Sequence, residues 1–457
     1  MIAIGFILVM LVVFIGLSLT GTGGGGDVPV GAILLLLGVF GTFFAAGIYV
    51  GAALGVLGLL AGFAFSDRPF WLFLGQTAWG PSSSFVFVAV PLFLLMGEIL
   101  LRAGLSERLY RALNLWLNRL PGGLLHTNIV ASGLFSAISG SSVATAATMG
   151  SVAMPFFQGK GYDPKVVMGS LAAGGALGNL IPPGITFIIY ALITETSVGA
   201  LYLAAVGPSI LVIALFIGVI LLKRGAAPPP GPIIPLSEKL RGLVGLLPTL
   251  VLILVVLGTI YAGLATPTES AALGVVAAIV IAIVERRFSI RMLHACAEAT
   301  ARNTAMIGLI LLGAFVLNYV ITLLGIPQMM ASAVAGLPLP PWVIMALIIG
   351  FYLALGTFME GFSMIITTIP VIFPVVTALG YDPIWFGVIV VMLVEIALIS
   401  PPDGTVLYVL QGMRKDGGPI GDVFTGVLPF VAVYILAIAV LMIMPDIALW
   451  LPRAVGP

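Results

Sequence analysis

The chain has 457 residues, 61% of them apolar and only 8% charged, with a net charge of +1 and a mean hydropathy of +1.25. Soluble domains carry about a quarter charged residues, so this composition excludes a soluble fold and predicts a polytopic, all-helical protein of the lipid bilayer. The charge gives nucleic acid no purchase, and one cysteine (Cys296) with two histidines (His126, His294) excludes a disulfide framework or a metal cluster.

In chain order, Met1–Leu19 is long and apolar enough to cross a bilayer. It lacks a basic leader and a cleavage site, so it reads as an uncleaved helix. Thr20–Asp27 is a Gly-rich linker without the Lys-Ser/Thr of a phosphate loop. Val30–Phe65 exceeds one crossing and predicts an extension broken at Gly47–Gly51. Phe85–Leu101 crosses, and Arg102–Leu120 predicts an amphipathic surface arm. Pro121–Gly161 and Asp163–Thr196 are apolar but broken. Val198–Leu222 crosses, Lys223–Arg241 is a Pro-rich charged loop, and Leu243–Gly263 and Ser270–Val284 cross. Glu285–Arg302 predicts a second basic arm before the crossing Thr304–Leu324. Pro338–Gly380 and Asp382–Gln411 are broken again, and Val423–Met444 closes the chain.

The broken segments repeat. Gly161-Tyr162-Asp163-Pro164 recurs 219 residues later as Gly380-Tyr381-Asp382-Pro383. The same offset carries Leu120-Pro121 onto Leu339-Pro340, Pro155 onto Pro374, Pro182-Pro183 onto Pro401-Pro402, Thr186 onto Thr405, and Ser141-Ser142 onto Glu360-Gly361. Lys- and Arg-rich short loops stay in the cytoplasm. Placing Arg102–Arg119, Lys160–Lys165, Lys223–Arg241, Glu285–Arg302 and Arg414–Lys415 inside makes the two Pro-Pro helices run in opposite directions, which predicts inverted repeats.

Breaks in membrane helices expose backbone groups that are tolerated only along a polar cavity. Such carbonyls with Ser and Thr hydroxyls can replace the hydration shell of a small cation, and helix N-termini attract an anionic group. The candidate residues at the first hairpin tip are Ser139, Gly140, Ser141, Ser142 and Thr145, and at the first hinge Gly178, Asn179, Pro182, Pro183 and Gly184. In the second copy they are Glu360, Gly361, Ser363 and Thr367, then Ser400, Pro401, Pro402, Asp403, Gly404 and Thr405. The competing readings are small residues that let helices approach, an ordinary proline kink, and, for Glu360, a tip that reaches water. Glu269 after Thr266-Pro267-Thr268 fits a helix N-terminal turn. Glu98 and Glu395 are expected to pair with arginines across an interface. No Walker motif points to an ATP-driven pump, and no nucleophile–base set or HExxH motif points to an enzyme.

Phe135–Pro155, Gly161–Gly184, Thr196–Pro208, Gly263–Gly274 and Val390–Gly404, with Pro91–Leu105, resemble the large membrane subunit of TRAP (tripartite ATP-independent periplasmic) transporters, from about residue 30 to the C-terminus. The resemblance implies a sodium-coupled importer of small organic acids in the bacterial inner membrane, without other cofactors. It also implies a small four-helix membrane subunit and a periplasmic substrate-binding protein as partners. The implied fold is that of the ion-transporter superfamily, in which a transport domain built from two re-entrant hairpins and two broken Pro-Pro helices moves as an elevator against a scaffold. On that plan residues 1–27 are an extra helix and linker, 28–120 scaffold helices and arm, and 121–196 the first transport half. Residues 197–339 are scaffold helices, loop and second arm, 340–411 the second half, and 412–457 the C-terminal helix. The chain departs from the family at residues 1–27, which precede its usual start, and at Asn179, Leu393, Asp403 and Thr405. Its second site is thereby more acidic. A self-sufficient carrier for a dicarboxylate or oxyanion, coupled to sodium or protons, and a channel stay open as alternatives.

Overall fold

The computed structural model describes residues 38–39, 41–43, 46–66, 69–223, 228 and 231–455. The expected first helix and linker (1–27) lie outside these residues. The described residues form helices, turns and loops without a strand, as the bilayer demands of segments that must satisfy their own backbone.

The long apolar stretch after residue 30 is broken at Gly47, which has φ +68°. Helix α1 (Val50–Phe65) follows, then a 3₁₀ turn and the short α2 (Leu74–Ser82). Helices α3 (Ala89–Ala103) and α4 (Leu105–Leu117) meet at a 69° bend. Gly104 sits in the left-handed region at the bend, and α4 is the amphipathic arm expected there. Arg108 of α4 pairs with Glu285 at 2.5 Å.

Helices α5 (Leu124–Ser139) and α6 (Ser142–Phe157) form the first hairpin. Helices α7 (Pro164–Gly175) and α8 (Ile185–Thr194) are the two pieces of the first broken helix. Helix α9 (Val198–Leu222) is a full-length span. The loop expected over Lys223–Arg241 instead ends in helix α10 (Leu236–Leu243), whose Lys239 ammonium lies 5.5 Å from the Trp116 ring centroid. Helix α11 (Leu247–Tyr261) contains a π turn at Leu254–Gly258. Helix α12 (Pro267–Val284) begins with a capping box, Thr266 with Glu269, as the sequence indicated.

The second arm is not a separate element. Helix α13 (Ile290–Leu323) runs unbroken for 34 residues, about 50 Å at 1.5 Å per residue. No glycine or proline stands between Arg291 and Met306 to end it, so arm and crossing fuse. After α14 (Ile326–Ala335) come α15 (Pro341–Leu355) and α16 (Gly361–Ala378), then α17 (Pro383–Ile399) and α18 (Thr405–Met413). Helices α19 (Ile420–Ile443) and α20 (Asp446–Val455) finish the chain.

The sequence repeat reappears in the caps. Asp163 and Asp382 both N-cap a helix with proline at its first turn, and both carboxylates accept backbone N–H groups. Ser141 and Glu360, 219 residues apart, both N-cap the second helix of a hairpin. Pro182-Pro183 and Pro401-Pro402 are both cis.

Small residues let the helices touch. Helix α1 lies on α13, where a Cβ at Gly51 would strike the Leu309 carbonyl at 2.8 Å. Helix α19 lies on α7 so closely that a Cβ at Gly169 would collide with the Gly426 backbone. The halves also cross. Helix α8 of the first packs against α16 of the second, and α18 of the second packs against α6 of the first. Beyond α18, the guanidinium of Arg414 holds Asp416, Asp422 at 3.0 Å and the Pro419 carbonyl at 3.2 Å.

Gly169→Leu is expected to cost about 1–3 kcal/mol by overpacking. Gly218→Ala, where a Cβ meets nothing within 4 Å, should leave the thermal midpoint in detergent unchanged or higher. The Arg414 hydrogen bond holds the Asp416 carboxyl below the usual carboxylate range. That contribution is present above the ordinary aspartate value and is lost as pH falls through the depressed folded value. Asp416→Asn should therefore flatten the loss of thermal stability below about pH 4.

Candidate functional site

Gly140 ends α5 in the left-handed conformation at φ +61°, turning the chain at the hairpin tip. Its carbonyl accepts the Ile185 N–H of the hinge at 3.2 Å. A Cβ at Gly140 would sit 2.6 Å from the Pro183 carbonyl oxygen, and one at Gly178 would strike the Ser142 backbone. Gly184 likewise presses on the Asn179 carbonyl. Tip and hinge, forty residues apart in sequence, thus form one buried knot. Ser139 and Thr145 share a hydrogen bond of 2.7 Å across the tip, and Ser141 caps α6 through the Ala144 N–H.

At the centre stands a residue assigned elsewhere on sequence grounds. Glu395 of α17 is fully buried, 0% exposed, and among the described residues it forms no ion pair with an arginine. Its two oxygens accept the Ser142 hydroxyl at 2.7 and 2.8 Å, and Oε1 accepts the Asn179 N–H at 2.6 Å. Ser142 Oγ in turn accepts the Asn179 Nδ2–H at 2.9 Å. The expected pairing across an interface is thus corrected to neutral donors. Glu98, the other acid expected to pair across an interface, meets Arg102 one turn along its own helix at 3.6 Å. Only the position of Glu395 five residues before Ser400-Pro401-Pro402 marked it in sequence, and its first-half counterpart is Ala176.

The second break is looser. Glu360 Oε2 accepts the Ser363 N–H at 3.1 Å and its hydroxyl at 3.3 Å, while Thr367 donates back to the Ser363 carbonyl at 2.7 Å. Gly361 abuts Val394 of α17. At the hinge the Gly404 N–H returns to the Ser400 carbonyl at 3.0 Å, and the Tyr408 hydroxyl donates to the Pro402 carbonyl at 2.7 Å. This tight turn leaves Asp403 on the outside, exposed. No hydrogen bond or ion pair joins Asp403 to Glu360 among the described residues. Asn179 Oδ1, Thr186 Oγ1 and its repeat mate Thr405 Oγ1 are buried without a partner. A cavity of about 310 Å³ opens at the far end of the first hairpin, beside Tyr162 and Arg414. The Arg414 guanidinium is already committed there.

Apolar helices broken at two matched places, with polar side chains at the breaks, define a multi-pass membrane protein of the transporter type. Residues 37–447 match the family model of the tripartite ATP-independent periplasmic transporter, DctM component, and the chain belongs to that family. The chain is 34% identical over 377 residues to the C4-dicarboxylate TRAP transporter large permease protein DctM of Pseudomonas aeruginosa (82% of this chain, 88% of that protein). It is 31% identical to the sialic acid TRAP transporter large permease protein SiaM of Vibrio cholerae (83% and 89%). It is 30% identical to the ectoine TRAP transporter large permease protein TeaC of Halomonas elongata (80% and 85%). Among solved structures it is similar in fold to the Alcanivorax borkumensis YdaH transporter, with TM-score 0.63, 18% identity, and 91% and 99% of the two chains covered. As a large permease subunit the chain is a transport protein and not an enzyme.

Removing the shared hydroxyl in Ser142→Ala leaves Glu395 and Asn179 short of a partner and is expected to cost about 1–3 kcal/mol of stability. Asp403→Asn, at an exposed position, should stay within about 0.5 kcal/mol. Thermal denaturation of the two variants side by side measures the difference.

Proposed function

We propose that the chain is the carrier subunit of a sodium-coupled importer of a small organic acid. It works in the bacterial inner membrane with a small four-helix membrane subunit and a periplasmic substrate-binding protein. The relatives named for C4-dicarboxylate, sialic acid and ectoine all handle carboxylate-bearing solutes, which supports that substrate class. The two halves are inverted repeats, and they move together as an elevator against the scaffold of α1, α3, α12 and α13. The close backbone approach of α19 to α7, and the packing of α9 on α19 and α20, support counting α9 and α19 with residues 121–196 and 340–411 in the moving body.

The observation that carries the reading is the pair of repeat-related breaks. Each places a helix N-terminus beside a threonine hydroxyl without a partner, Thr186 or Thr405. Oxygen donors at the first tip, from Ser139, Ser142 and Thr145, suit a hard monovalent cation. The N-termini of α8 and α18 suit the carboxylate of the solute. Glu360 tunes the second site by fixing the start of α16.

In proteoliposomes, uptake should be saturable, should require an inward sodium gradient and should vanish without the binding protein. Thr145→Ala should raise the half-saturating sodium concentration by about tenfold or more. An unchanged sodium dependence removes the sodium assignment. Full-rate uptake without the binding protein marks a self-sufficient carrier, and uptake that does not saturate marks a channel.

A further inference from the structure

We propose that Glu395 supplies the negative charge of the cation site at the first hairpin tip, contributed by the opposite half of the protein. The inference rests on the sodium-coupled reading and adds the ligand that gives the site its charge. Three oxygens are linked there: a Glu395 carboxylate oxygen, Ser142 Oγ, and the carboxamide of Asn179, whose Nδ2–H is bound to Ser142 while its Oδ1 stays buried without a partner. Glu395 is fully buried, and among the described residues no Lys, Arg or His forms an ion pair with it. Its hydrogen-bond donors are the Ser142 hydroxyl and the Asn179 backbone N–H, which orient a carboxylate without neutralising it. A buried charge is stable when paired or when it coordinates a metal.

A bound cation would meet both deficits at once, taking the carboxylate's charge and the idle Asn179 Oδ1. A single carboxylate with neutral oxygen donors balances one positive charge, so the site suits a sodium-sized monovalent ion better than a divalent one. The second break has no reciprocal charge, because the residue 219 positions before Glu395 is Ala176. The two sites are therefore unequal, and ion binding at the first pins α17 of one half to the hairpin tip of the other.

The test follows the thermal midpoint of the full chain in lipid nanodiscs as sodium chloride replaces choline chloride at constant ionic strength. Wild-type protein should be stabilised by sodium. In Glu395→Gln the half-saturating concentration should rise by about tenfold or more. Asn179→Ala should shift it in the same direction, and Glu98→Gln, whose carboxylate pairs with Arg102, should respond as wild type. A folded Glu395→Gln protein responding at wild-type sodium concentrations overturns the assignment. If that variant does not fold, an unshifted response in Asn179→Ala overturns it. Without any variant, sodium-induced infrared difference spectra of the wild type should contain a shifted buried-carboxylate band, and its absence also overturns the assignment. A wild type that does not respond to sodium at all refutes the sodium reading itself.

Discussion

A broken helix inside a bilayer leaves backbone N–H and C=O groups with neither a helical partner nor water. The architecture follows from where this chain sends those groups. The Gly140 carbonyl takes the Ile185 N–H, and the Asn179 N–H goes to Glu395. The first break is thus tied to its own hinge and to the opposite half, while the second closes on itself through the Gly404 N–H and the Ser400 carbonyl. Glycine at 140 and 178 is the condition for the tie at the first break, because a side chain at either would push tip and hinge apart, and one at 184 would strike the Asn179 carbonyl within the hinge. Asn179 Oδ1, Thr186 Oγ1 and Thr405 Oγ1 stay buried without a partner at these breaks.

The exchange of partners between halves gives the molecule its stiffness. Helices α8 and α16 pack together, as do α6 and α18. The contacts at Gly169 and Gly426 tie α19 to α7 without side chains between them. Such contacts do not slide by fractions of an ångström, since close-packed interfaces resist continuous deformation. The elevator proposed for this fold must then move a rigid block whose give lies in the connecting segments, such as the bend at Gly104 and the π turn in α11.

Much of this was legible in the sequence because it is written in residues with strong local effects. Asp163-Pro164 and Asp382-Pro383 announce helix starts, and the proline pairs announce breaks. The arginines after Leu101 mark the amphipathic arm. The fused α13 was missed because charge composition suggested a boundary where no glycine or proline enforced one. Glu395 was misassigned for a different reason. Its partners Ser142 and Asn179 are 253 and 216 residues away, and no offset or periodicity connects an acid on α17 to a hydroxyl in the other half. Asp403 shows the same limit, since its exposure depends on how the Gly404 turn folds back, which composition does not encode.

The link between Asn179 and Glu395 also bears on how the protein is made. Their 216-residue separation is roughly 10–40 s of synthesis at 5–20 residues per second. For that interval the first hairpin and hinge are in the membrane with their polar knot unfinished, and the crossed helices α16 and α18 do not yet exist. The first half therefore cannot mature as a unit, and its biogenesis is a matter of waiting. Inserting it early requires that lipid, a neighbouring subunit or the insertion machinery shelter Ser142 and Asn179 until α17 arrives.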